Sequence, residues 1–494
     1  MPNASDHPPS NSPNALPKDE GKIFRVGTLT YTKAALFSLC TWLLWGDFCF
    51  MLMETAAPAL LQLNLNALGA PNWVLGLALS SIPGVLNMTV CPAASFYSDR
   101  FRSRWGRRIP FLFIATIPLT IFLVMLGFSN QIGEWLHGAI NGGYSKTAVI
   151  IAVMCVLVFC FQLFNMVVAS VYYYLFNDVV PAEVLARFMA LFRIVGVLAG
   201  AVFNWFFLKY AVSHMTEVFL IAAGLYGTFF LMMCWKVKEG KYPPPPAVEE
   251  GRNSLLIGIK TFMKESFTSR FYWLFFLANT CYALTCVAGT FSILQARSIG
   301  VSLEFLGKTV AVAAVAGAAL MYPAAIIADR QHPLRVLIWA TIAVICVQPV
   351  WLVFLFYDFS PAVTHAIFIG ITVISTAVVS LYSAAELPMY MRTLPKSRYG
   401  QFCSANAMVR SLAVVFGGLI LGFLLDRLAV VYDTKDYCYR FIPIWAILCM
   451  LGSLYFLRRL YATWEKMGGA KSFRPPGFEQ DEEDIATFHQ KSAE

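Results

Sequence analysis

The sequence predicts an all-α polytopic membrane protein, with twelve transmembrane helices arranged as two pseudo-symmetric six-helix bundles. Three observations carry this. First, the 494 residues are 58% hydrophobic and only 13% charged, about half the charged fraction of an ordinary soluble domain. Second, apolar runs of about 20 residues recur along the chain, separated by polar turns. Lipid leaves backbone N–H and C=O groups without partners, so each run must be helical, and the strand alternation of an outer-membrane barrel is missing. Third, the two halves of the chain repeat one another.

The elements follow in order. Residues 1–33 open with a polar, Pro/Asn/Ser-rich stretch that lacks the basic-then-apolar pattern of a signal peptide, and predict a disordered cytoplasmic tail. Apolar runs at about 34–60, 72–97, 109–128, 147–176, 187–210 and 217–236 make a first bundle over 34–236. Residues 237–270 form a cytoplasmic linker. Its run Pro243 to Pro246 stops the sixth helix. Leu255, Leu256, Ile259, Phe262 and Met263 then recur at helical spacing with Lys260 and Lys264, predicting a short amphipathic surface helix. Six more runs, about 271–296, 304–328, 335–357, 361–387, 400–426 and 440–462, make a second bundle over 271–462. Residues 463–494 read as a solvated cytoplasmic tail with an acidic end.

The repeat is specific. Pro92-Ala93-Ala94 leads to Asp99-Arg100, and Pro323-Ala324-Ala325 leads to Asp329-Arg330. Leu60-Leu61-Gln62 matches Ile293-Leu294-Gln295. Pro181 to Phe188 has the same spacing as Pro395 to Phe402. Parallel halves of this kind are a transporter architecture, with the substrate held between them near the bilayer midplane.

Charge fixes the expected orientation. Ser98 to Pro110 holds five arginines and one aspartate between two apolar runs. With this loop placed inside, 28 of the 37 Lys and Arg residues fall on the inner side, 7 outside and 2 within helices. That is the positive-inside bias. The net charge of +9 therefore reports membrane orientation rather than a nucleic-acid face. It predicts an integral protein of the cell (inner or plasma) membrane with both termini cytoplasmic.

Twelve runs, a long middle loop and Asp99-Arg100…Gly106-Arg107-Arg108 between the second and third runs resemble the major facilitator superfamily. The spacing of that loop, with Ser103, Arg104, Trp105 and Pro110, resembles the glycoside–pentoside–hexuronide cation symporters and the related sucrose transporters, as do Gly69-Ala70-Pro71-Asn72-Trp73 and Ile82-Pro83-Gly84. Gly46-Asp47-Phe48 is similar to the Gly-x-Asp-Phe of melibiose-type permeases, whose aspartate contacts sugar hydroxyls. There are departures. Ser95 stands where the superfamily loop usually has glycine, the second helix lacks the acidic pair that binds sodium in melibiose-type permeases, and the fourth offers Gln162 and Asn165 where those use an aspartate. The resemblance implies the major facilitator fold, alternating access, a sugar or glycoside as substrate, and a proton in preference to sodium as coupling cation. It also implies that Asp99 lies near the inner end of the eleventh helix. There Asp99 and Arg100 would latch the inner gate, with Gly106, Arg107, Arg108 and the second-half pair Asp329 and Arg330 in the same gating role.

Charges at bilayer depth are functional candidates because each costs about 2.5–3.5 kcal/mol to insert. Asp47 and Glu54 are seven residues apart on one helical face, about 10 Å along the axis, and are the candidates for carrying the coupling proton. Arg193, followed on its face by Gly196, Gly200 and Asn204, and Arg410, with Asn406 one turn earlier, are candidate substrate contacts. Glu386 shares a face with Tyr382 and is read as a gating residue bridging to the other half, or as a substrate contact. Ser80 with Asn87, Gln162 with Asn165, and Asn279 with Tyr282, Cys286 and Thr290 supply neutral polar faces. Trp45 is a candidate ring against an apolar sugar face.

Enzyme chemistry finds no support. The six histidines show no H-x-x-x-H or H-E-x-x-H spacing, no Cys-x-x-Cys occurs among the twelve cysteines, and there is no G-x-x-x-x-G-K-[ST] loop. No cofactor or metal is expected, and the chain is read as a monomer. Two alternatives stay open: a transporter of the same fold for a nucleoside, peptide, organic anion or exported drug, and a non-transporting sensor.

Overall fold

The computed structural model describes residues 23–140, 143–242 and 262–477, apart from the side chains of Ala186, Ser397 and Lys471. Among these residues twelve helices are long and apolar enough to cross a membrane: α1 (Lys33–Ala67), α2 (Asn72–Arg100), α3 (Ile109–Gly127), α4 (Lys146–Val179), α5 (Ala182–Tyr210), α6 (Met215–Lys236), α7 (Arg270–Ser298), α8 (Leu303–Arg330), α9 (Pro333–Leu355), α10 (Pro361–Thr393), α11 (Tyr399–Val431) and α12 (Tyr437–Lys466). Their even number puts the start of α1 and the end of α12 on one side, here the terminal side, opposite the far side.

The packing repeats as the sequence does. In the first half α1 packs on α5 and α6, α2 on α4, and α3 on α4 and α6. In the second half α7 packs on α11 and α12, α8 on α10, and α9 on α10 and α12. Burial repeats too: Ala94 and Ser98 are the buried positions before Asp99, and Ala324 and Ala328 are those before Asp329.

Two extensive pairs join the halves, α2 with α11 and α5 with α8, and α1 meets the far end of α7 in a smaller contact. Both crossings need glycine. A Cβ on Gly76 would meet the Gly418 carbonyl oxygen at 2.0 Å, and one on Gly307 would meet the Asn204 carbonyl oxygen at 2.1 Å. Small residues let backbones approach this closely, which is how helices associate where lipid gives no hydrophobic drive. Each of α2 and α5 also carries one π-helical turn at its crossing, Leu77–Ser81 and Phe203–Phe207.

The apolar cores show which side is closed. Far-side residues of the second half, among them Phe291, Leu306, Leu421 and Tyr439, belong to one core with the first half. Terminal-side residues of the second half, such as Tyr272, Tyr390, Phe402 and Trp464, form a separate core. The halves are fused on the far side and parted on the terminal side.

Several expectations at the boundaries are corrected. The predicted tail 1–33 contains a β-hairpin, β1 (Phe24–Val26) and β2 (Leu29–Tyr31), with Phe24 opposite Tyr31. Its residues alternate at strand period around Gly27, which adopts a positive φ of 53°. The Lys241 N–H donates to Thr28 Oγ1 at 2.8 Å, tying the hairpin to the linker. Residues 1–22 lie outside the described part, as does the predicted amphipathic helix up to residue 261; residues 262–267 are helical. The polar stretch between the third and fourth runs contains a helix, Ser129–Ala139. The predicted solvated tail from 463 is ordered at its start: α12 runs to Lys466, Phe473 packs on Phe271 and Trp464, and Tyr272 donates to the Pro476 carbonyl.

Candidate functional site

On the terminal side a cavity of about 700 Å³ lies between the halves. From the first half α2 contributes Ser80, Gly84 and Asn87, and α4 contributes Met166; from the second half come Cys286, Thr290, Tyr390, Asn406, Arg410 and Ser411. The volume is that of a small-molecule site. Its floor is polar and spans both halves: Ser80 and Thr290 hydroxyls meet at 2.8 Å, and Asn87 Nδ2 donates to Ser411 Oγ at 3.2 Å.

The second-half wall is one hydrogen-bonded cluster around the Tyr390 hydroxyl. It accepts from Asn406 Nδ2 at 3.1 Å and Arg410 Nη1 at 3.2 Å, and offers its proton to Asn279 Oδ1 at 3.1 Å or Glu386 Oε1 at 3.2 Å. Arg410 Nη1 also pairs with Glu386 at 3.2 Å. Behind the pair, Tyr282 and Tyr382 stack with ring centres 3.9 Å apart. Glu386, read as a bridge to the other half, instead pairs inside its own half, because α10 and α11 carry Glu386 and Arg410 to facing positions beside Tyr390. Tyr390 itself was not singled out, although it stands one turn after Glu386 and the i, i+4 rule would have placed it there.

In the first half, Asp47 is completely buried, and neither carboxylate oxygen has a hydrogen-bond partner among the described residues. Gly196 of α5 lies against it: a Cβ there would sit 3.7 Å from Asp47 Oδ2. Two turns further along the same face of α1, Glu54 Oε1 accepts from Asn165 Nδ2 at 2.5 Å, and Asn165 Nδ2 also reaches Gln162 Oε1 at 3.1 Å. Arg193 is exposed and makes no hydrogen bond or ion pair among the described residues; like Asp47 and Glu54, it lies within electrostatic reach of Tyr173. Trp45 is not on the Asp47 face. Two residues turn a helix by 200°, so Trp45 stacks on Phe48 at 5.4 Å and meets Phe229 of α6 edge-on at 5.5 Å, with 41% of its surface exposed.

The arginine-rich loop is held within the first half. Arg107 makes two bonds to Asp178 at the end of α4, at 2.9 and 2.6 Å, and Arg108 reaches Asp178, Ser98 and Asp99. Asp178 and the hydrogen bond to it hold the Arg107 guanidinium above its ordinary range. The Glu239 carboxylate, just past α6, accepts the backbone N–H groups of Arg107, Arg108 and Ile109, capping α3. Gly106 has φ 109°, and a Cβ there would lie 2.5 Å from Glu239. Asp99 is half-exposed and pairs with Arg108 and, at 4.0 Å, Arg107; Arg100 lies over the Phe96 ring. The expected contact of Asp99 with α11 is not among these pairs, in a conformation where the terminal side is open. Asp329 and Arg330 are exposed, with no bond among the described residues.

The Major Facilitator Superfamily model matches residues 104–418, well over half of the chain. The chain belongs to the Major Facilitator Superfamily. Among solved structures, a mutant form of the nucleoside transporter NupG is 11% identical, aligning over 85% of this chain and 99% of that one with a TM-score of 0.65. A D-xylose–proton symporter is 13% identical over 84% and 97% of the two chains, with a TM-score of 0.58. At these identities the superfamily fold is what is shared. A stretch of 49 residues is 39% identical to the sucrose transport protein SUT1 of Oryza sativa subsp. japonica, spanning 10% of this chain and 9% of the rice protein. As a superfamily member the chain is a membrane transporter rather than an enzyme.

Proposed function

We propose that this transporter moves a neutral, hydroxyl-rich solute, a sugar or glycoside, by proton-coupled symport with alternating access. The observation that carries the substrate class is the neutralised cation in the cavity wall. Arg410 is the one charged residue lining the cavity among the described residues, and Glu386 is its counter-ion. A wall so balanced favours a neutral solute over an anion. The Asn406 Oδ1 acceptor, on a residue that lines the cavity, is buried with no hydrogen-bond partner among the described residues, and a solute hydroxyl supplies the missing donor. The short likeness to a sucrose transport protein supports the same class.

Coupling rests on Asp47. A carboxylate with no partner and no solvent is stable in hydrocarbon surroundings only when protonated. It loses its proton when the halves rock and expose it, and a cation drives transport only through such differential affinity. With the Lys/Arg-rich terminal side as the cytoplasmic side, the conformation described is inward-facing, and the Asp99–Arg100 latch is disengaged.

Counterflow in proteoliposomes over a panel of sugars, uridine and a dicarboxylate, with and without a protonophore, tests this reading. Exchange of a sugar, and gradient-driven uptake abolished by the protonophore, are expected. Counterflow confined to the dicarboxylate or to uridine would overturn the substrate class.

A further inference from the structure

Beyond the cavity floor, the far half of the molecule holds a second chamber of about 460 Å³. It shares only Leu79 and Thr290 with the lining of the first cavity, and the Ser80–Thr290 hydrogen bond lies at the boundary. The chamber is drawn from both halves. Gln62 of α1 and Gln295 of α7 face it, and these are the counterpart residues of the internal repeat. One amide from each half is therefore aimed at a common space.

Gln62 is 3% exposed, and its Nε2 has no hydrogen-bond partner among the described residues. Leaving a buried amide donor unpaired costs about 1–3 kcal/mol, so such a group marks a place where something else supplies the acceptor. Asn204 spends its Nδ2 on the Gly200 carbonyl, which leaves its Oδ1 as an acceptor. Thr55 and Ser292 add hydroxyls, and Trp351 contributes an aromatic face. Among the described residues no charged side chain lines the chamber.

Amides, hydroxyls and a ring without charge suit a neutral polyhydroxylated molecule and give an anion or cation nothing to pair with. We propose that the far chamber is a second docking site for such a solute, separated from the central cavity by the Ser80–Thr290 contact. Solute occupies it on its way between the far side and the midplane. This proposal rests on the sugar reading of the central cavity.

Equilibrium dialysis of the full-length protein in detergent against labelled sucrose, maltose and glucose tests it. The expected stoichiometry for the sugar that is transported is two per chain. Gln62→Leu is expected to lower it to one, and Gln295→Leu, on the less buried counterpart, does the same if Gln62→Leu fails to fold. Arg410→Gln also leaves one site, and that remaining site is removed by adding Gln295→Leu. A stoichiometry of one in the parent, lost with Arg410→Gln and unchanged by Gln62→Leu or Gln295→Leu, would overturn the far site while leaving the sugar reading intact. Failure of all three sugars to bind the parent would overturn both.

Discussion

The Asp426 carboxylate, at the far end of α11, caps the first turn of α2 by accepting the backbone N–H of Asn72 at 2.7 Å and of Trp73 at 3.0 Å. The two residues belong to different halves, so a helix cap doubles as a clamp across the seam. Lys435 Nζ donates to the Ala70 carbonyl at 2.6 Å, and Tyr439 donates its hydroxyl proton to Asn72 Oδ1 at 2.7 Å or Asn66 Oδ1 at 3.1 Å. All of these contacts must break before the far side opens.

Asp426→Asn replaces one of the two accepting oxygens with a donor. Charge-assisted bonds contribute about 1.5–3 kcal/mol each, so the far-open population is expected to rise roughly tenfold or more. Cys438 is fully buried in this seam, beside Asn72. Its alkylation rate by a membrane-impermeant maleimide, followed by peptide mass spectrometry, reads the opening. An unchanged rate would remove Asp426 from the clamp.

Arg410→Gln leaves Glu386 without its counter-ion in a half-buried wall. Counterflow is expected to fall at least tenfold. The double variant Arg410→Gln with Glu386→Gln is expected to recover folded yield and thermal stability but not transport, because removing both charges relieves the unpaired one. Recovery of transport by the double variant would show that the pair only holds the wall together.

Asp178→Asn breaks the bond set that joins the ends of α2, α3 and α4 through Arg107 and Arg108. Arg108 is 4% exposed, so a loss of about 2–4 kcal/mol is expected. A fall of several degrees in the melting midpoint in detergent reads it, and an equally large fall for Asp329→Asn, whose exposed carboxylate has no partner among the described residues, would contradict the assignment.

His332, between α8 and α9, accepts the Leu334 N–H through Nδ1 at 3.3 Å, and its ring meets that of Trp464 at a tilt, with centres 4.0 Å apart. Burial, with Arg392 and Arg335 nearby, holds the imidazole down to about 4. A lowered value means the folded state favours the neutral ring. Its contribution is full above the ordinary value near 6.5 and is lost as pH falls towards 4. The part-exposed site keeps the effect on the order of 1 kcal/mol. His332→Asn is expected to flatten the fall in melting midpoint between pH 7 and 4.5; an unchanged slope would assign that fall to other groups.

Spans and repeat were legible because lipid allows one backbone solution and apolar runs advertise it. Arg410 and Glu386 were legible because charge at bilayer depth is costly enough to demand a reason, and Asn406 because it stands one turn from Arg410. Partners were less so. Asp178 reads as a turn residue and Glu239 as linker, yet both bind the arginine loop, since a capping carboxylate can come from any neighbouring chain end. Asp426 gave no local signal, because its partner lies in the other half and is backbone rather than side chain. The contacts of Trp45 were not legible, because two residues apart on a helix point to different faces. The hairpin at Phe24–Tyr31 was hidden by its brevity after a long polar stretch.

The most direct test of the account is uphill sugar accumulation by Asp47→Asn in proteoliposomes under an imposed proton gradient, with counterflow measured on the same preparation. Asparagine fixes the neutral state, so counterflow is expected to persist while gradient-driven accumulation falls to equilibrium. Accumulation by Asp47→Asn equal to that of the parent would contradict Asp47 as the coupling group.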